Sequence, residues 1–141
     1  MNQTPLLVRV FNALVMIYIS STAAHADSPQ QTYQQYLETV SKATSLRDVF
    51  PYLTSERIQT LERGLQKAAD QGVDPAKVET FTLALLKTGA QEKARFRELV
   101  IEEEASVVVE REDVTVEVLM VLIEGAWKIA DERMLRIPNF N

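Results

Sequence analysis

Cysteine is absent from the 141 residues, and histidine occurs once, at His25. The first absence excludes disulfides, thiolate zinc sites and a thiol nucleophile. The second leaves little room for the commonest general base and metal ligand. Glycine is sparse, with four in the chain. No glycine-rich phosphate loop, G-x-S-x-G elbow, H-E-x-x-H helix or zinc spacing can be built from them. Serines lack a histidine to activate them, and Ser-x-x-Lys does not occur.

A local absence is as informative. Residues 1–26 contain no Asp or Glu. Arg9 precedes the apolar run VFNALVMIYI (10–19), and the small, polar SSTAAHA follows, ending Ala24-His25-Ala26. A basic start, a short apolar core and an A-x-A site describe a secretory signal peptide cut between Ala26 and Asp27. Ten apolar residues fall short of the roughly 20 that a membrane-spanning helix needs. The expected mature chain, 27–141, is one domain that is periplasmic or secreted, has no membrane span and has no histidine. Losing Arg9 makes it one unit more acidic than the full chain's −5. That balance argues against nucleic acid and against an anionic membrane surface.

The first half of this domain has helical period. Ser28 caps and Pro29 suits the first helical position, predicting a helix over about 29–42 with Tyr33, Tyr36, Leu37, Val40 and Ala43 on one face. Ser45 and Asp48 form a capping-box pattern before the short turn LRDVF, which Pro51 stops. Thr54-Ser55 open a second helix with the stripe Ile58, Leu61, Leu65, Ala68 and Ala69, ending at Gly72. Asp74-Pro75 start a third, with Val73 and Val78 placed as a hydrophobic staple. It is expected to stop at Gly89, with Val78, Phe81, Thr82 and Leu85 facing inward.

From Arg95 the period changes to two and β-branched residues dominate. Strands are expected from about 95 to 103, over 105–111, over 114–123 and over 126–134, with turns at Glu112-Asp113 and Glu124-Gly125. Three helices followed by an antiparallel meander predict an α+β domain, with N-terminal helices packed on one face of a curved sheet. Gly125 turns the last hairpin, so that Trp127 and Ile129 point to the helices while Lys128 and Ala130 point away.

The hairpin around Glu124, Gly125, Trp127, Lys128 and Ile129, after VTVEVLMVLI and behind a helical first half, resembles the nuclear-transport-factor-2-like (cystatin-like α+β) superfamily, and within it secreted bacterial domains of unknown function. The resemblance covers about 30–135. It implies a cone of sheet around the helices, a small-molecule pocket inside and a homodimer through the outer sheet face. Catalytic members use Asp or His with Tyr in the cone. Here Asp48 and Asp70 read as cap or surface residues, and Asp131 sits past the tryptophan.

Aromatic residues that could line such a pocket are Tyr33, Tyr36, Phe50, Tyr52, Phe81 and Trp127. Seven acids lie between Glu102 and Glu117, but strand alternation scatters them and no calcium loop is present, so a solvated, edge-protecting surface is expected. Lys87, Lys93, Arg95 and Arg97 form a basic cluster suited to an anion or to plain solvation. No catalytic residue, metal site or cofactor is assigned. The expectation is an exported, non-catalytic domain that binds a small apolar ligand or a partner protein. The alternatives are an isomerase- or cyclase-like enzyme with a carboxylate and Tyr in the cone, marked by a raised carboxylate pKa, and an acidic inhibitor or immunity-type protein.

Overall fold

The computed structural model describes residues 27–136; the expected leader lies outside them. Helix α1 (Pro29–Lys42) starts as its sequence dictates. Ser28 Oγ accepts from the Gln31 amide, and Gln31 Oε1 accepts from the Ser28 amide. A 3-10 helix (Leu46–Tyr52) follows, capped by Ser45 with Asp48 closing the box. Helix α2 (Ser55–Asp70) is capped by Thr54 and ends at Gly72, whose φ of 77° frees the Gly72 and Val73 amides to close back on Ala69 and Ala68.

Helix α3 (Pro75–Gln91), capped by Asp74, passes through Gly89 instead of stopping there. Its inward face also differs from the expected one. Leu83 is buried and Leu86 packs on the core, whereas Phe81 and Leu85 are exposed at 65% and 59%. VETFTLALLKTGA is apolar on two sides, so periodicity alone did not single out one stripe.

Strands β1 (Arg95–Ile101), β2 (Glu104–Glu110), β3 (Thr115–Ile123) and β4 (Ala126–Arg136) form one antiparallel sheet in sequence order. The first hairpin turns at Glu102-Glu103, two residues before the expected end of its strand, with Glu102 at a φ of 56°. Glu124 and Gly125, at 51° and 79°, supply the two left-handed residues that a tight hairpin favours. The last strand runs to Arg136, past the expected end at 134. Its outer edge is partly covered where Leu53 bridges Ile129 and the Thr54 amide donates to the Ile129 carbonyl at 3.0 Å.

The core lies between this sheet and the helices. Val107, Val109, Val118 and Ile129, with no exposure, meet Tyr33, Tyr36 and Val40 of α1 and Val49 of the 3-10 helix. Trp127 and Ile129 point to the helix side, as the alternation required. Register shifts at Leu119/Met120 and at Thr115/Val116 leave Ala130 and Leu135 without opposite numbers on β3. Such bulges bend and twist a strand.

Truncation should separate core from surface. Ile129→Ala is expected to cost about 2–5 kcal/mol, and Phe81→Ala within about 0.5 kcal/mol of nothing. Urea unfolding of both variants would check this; a comparable loss for Phe81 would mean that its helix face is covered.

Candidate functional site

The sequence places Asp131 and Arg133 in phase with Trp127 and Ile129. The bulge at Ala130 changes that phase. Beyond it Glu132 stands opposite Val118, whose side chain is fully buried. Glu132 therefore joins the helix side of the sheet, and Ala130 lies on the outer side.

Glu132 lines a cavity of about 110 Å³ with Tyr33 and Tyr36 of α1 and with Arg111, which follows β2. Its apolar walls include Leu37, Val40, Leu86 and Val116, and the exposed Leu85 stands at its rim. The tyrosine rings stack at 5.5 Å between centroids. Burial raises both tyrosine pKa values well above normal, and negative charge on Glu132 adds to the rise. Their hydroxyls stay protonated. Burial also raises the Glu132 pKa above the ordinary 4.5, against the pull of Arg57 and Arg111. Arg57 is engaged elsewhere, 3.7 Å from Asp131.

Arg111 carries a buried polar atom, Nε, with no hydrogen-bond partner among the described residues. Its side chain is 8% exposed, and its nearest ionic contact is Glu92 Oε2, 3.7 Å from Nε. That is too long for a hydrogen bond, and the buried Nε–H has no other acceptor among the described residues. Leaving such a donor dry costs about 1–3 kcal/mol.

The six aromatic residues expected at a pocket are not gathered together. Tyr33 and Tyr36 line the inner cavity. Tyr52 and Trp127 border a separate surface concavity of about 320 Å³ with Pro51 and Lys128, where Lys128 Nζ donates to the Pro51 carbonyl. Phe50 packs between the two core clusters. Phe81 faces away from all of these. The basic cluster also divides. Lys93 and Arg95 border a concavity of about 360 Å³ that ends on Arg111. Arg97 instead pairs with Glu110 at 2.6 Å.

Sequence reasoning missed Glu132 and Arg111. Arg111 carried one signal, a lone cation at the end of the apolar strand ASVVVER. Glu132 carried none, because its inward position depends on the bulge.

No protein-family model, curated protein or solved structure matches the chain. Among the described residues no group of three or more potential ligands converges on a metal position, and no helix is long and apolar enough to cross a membrane.

The raised Glu132 pKa has a signed consequence for stability. The folded state binds the proton more tightly than the unfolded state. Stability contributed by this group is therefore fully present below 4.5 and falls as pH rises through the folded value. Glu132→Gln, which is neutral at all pH, should melt higher than the unaltered protein at pH 7, and the difference should vanish below about pH 4. Paired melting curves against pH isolate this effect from the carboxylates Asp48, Glu79 and Asp131, whose lowered pKa values act in the opposite direction. A lower melting point for the variant at pH 7 would mean that ionised Glu132 stabilises the fold.

Proposed function

We propose that this chain is an exported, non-catalytic binding domain of the nuclear-transport-factor-2-like type, and that the cavity between α1, α3 and the sheet holds a small, largely apolar ligand. One observation carries the reading. An apolar cavity inside the sheet's concave side contains a small set of polar groups, Tyr33, Tyr36, Arg111 and Glu132, with one buried donor unused. Ligand sites combine apolar walls with a few fixed polar groups in this way. Helices before a curved four-stranded meander are compatible with the cone of that superfamily, and the leader pattern of residues 1–26 supports export.

Native mass spectrometry of the protein recovered from its own cell envelope tests the proposal. The expected result is a chain starting at Asp27 that carries an additional mass of small-molecule size. A bare chain, with no small molecule released on denaturation, would count against a resident ligand. A chain still starting at Met1 would remove the argument for export.

Glu132 favours a second reading, an isomerase-like enzyme in which this carboxyl moves a proton beside Tyr33 and Tyr36. Burial shifts its pKa towards the range in which a group can both take and give a proton. Incubating the recovered ligand with the protein in D₂O separates the two readings. Deuterium entering a C–H position, and failing to enter with Glu132→Gln, would establish proton transfer; a ligand returned unlabelled would leave binding alone.

The outer sheet face supports the expected homodimer. Leu99 and Ile101 are exposed at 62% and 64%, and with Leu119 and Val121 they border an apolar concavity of about 330 Å³. Sedimentation of Ile101→Lys against the unaltered protein tests this. A dimer converted to monomer is expected, and a monomer in both would end the proposal.

A further inference from the structure

Resting on the ligand-binding reading above, we infer that the occupant is a carboxylic acid bound as its anion, with a carboxylate oxygen accepting from the buried Nε–H of Arg111 and a short apolar body lying against Leu37, Val40, Leu86 and Val116.

The chemistry follows from what the cavity leaves unsatisfied. Arg111 is a fixed cation whose side chain is more than nine-tenths buried, and its Nε–H lacks an acceptor. Such groups in folded proteins are nearly always matched. A guanidinium is matched best by a planar anion that can take two of its N–H groups at once. The other polar groups at the cavity favour an acceptor too. Tyr33 and Tyr36 keep their protons and can donate. Two carboxylates oppose an anion here: Glu92, whose Oε2 lies 3.7 Å from the same Nε, and Glu132, whose pKa burial raises, which weakens its opposition. Arg57, the other cation acting on Glu132, is matched by Asp131.

Arg111 is common to the inner cavity and to the outer concavity bordered by Lys93 and Arg95. Those two residues enter none of the ion pairs among the described residues. They give the approach a positive lining that attracts anions, although Glu110 and Glu112 share the same rim. Size limits the body. A volume of 110 Å³ is about four times the roughly 30 Å³ that a water occupies in the liquid, which suits a short chain. Leu85, exposed at the rim, lets a longer chain continue outward.

Pentanoate and pentan-1-ol, equal in chain length and different in charge, are the probes. Titration of the ¹⁵N-labelled protein should show pentanoate binding about tenfold or more tightly than the alcohol, the ratio expected of a charge-assisted hydrogen bond. The Arg111 Nε–H resonance should move with pentanoate and stay still with the alcohol. Arg111→Gln should lose the preference and keep the alcohol.

Equal binding of the two probes would overturn the anion inference and leave the cone as a site for apolar molecules. Failure of both to bind would take the ligand-binding reading with it. A preference that survives Arg111→Gln would move the anion to Lys93 and Arg95 and overturn the seat assigned here. The comparison in the unaltered protein decides the ligand class even if that variant fails to fold.

Discussion

The bulge at Ala130 is the constraint on which the candidate site depends. A strand presents alternate residues to opposite faces, and one extra residue exchanges the faces for everything beyond it. Before the bulge, Trp127 and Ile129 close the core against the helices. After it, regular alternation would have carried Asp131 and Arg133 inward. The extra residue brings Glu132 to the inner face instead, opposite Val118. Asp131 meets Arg57 and Arg133. The same residue thus determines which carboxylate is desolvated and which is hydrogen-bonded by Arg133 and the Glu132 amide, and with that the opposite shifts of their pKa values.

Arg111 is the counterpart of that carboxylate across the cavity. It stands where β2 leaves the sheet, and its amide donates to the Val114 carbonyl in the turn that follows. The backbone there is tied, and the residue borders both the inner cavity and the surface concavity. Glu92, just past the end of α3, approaches to 3.7 Å. A buried cation and a buried carboxyl group in one cavity would ordinarily be expected to pair. Here no ion pair forms between them, and tyrosine hydroxyls share the cavity with both. Arg111 instead acts on the Tyr33 hydroxyl, partly offsetting the rise in its pKa that burial causes.

Much of the fold was legible because its signals are local. Ser28-Pro29, Ser45 with Asp48, and Asp74-Pro75 each name a helix start through a hydrogen bond made within three residues. Glu124-Gly125 names a hairpin through backbone conformation. Errors arose where the deciding contact was distant. Gly89 does not take the left-handed φ with which Gly72 ends its helix, so α3 continues through it. Leu83 and Leu86 won the inward face from Phe81 and Leu85 because α1 and the 3-10 helix lie on that side, which the apolar pattern of α3 alone did not encode. The site was the least legible part. Tyr33 and Tyr36 were readable as an inward pair on α1, but Glu132 depends on a bulge and Arg111 on burial by elements far along the chain.

The binding and enzymatic readings share one ground state. Arg111 and two protonated tyrosines make a cavity rich in donors, beside a carboxyl group whose pKa burial raises. Such a cavity stabilises an acceptor, whether a carboxylate at rest or the oxygen of an enolate formed in passing. Recognition therefore does not separate the two readings. Separation lies in what faces Glu132 when the cavity is full. A carboxylate on Arg111 with only saturated chain beyond it offers Glu132 no acidic C–H to remove. A ligand with a carbonyl one carbon away from such a C–H would make the same group a base. The difference rests with the ligand, because the protein supplies the same four groups to either.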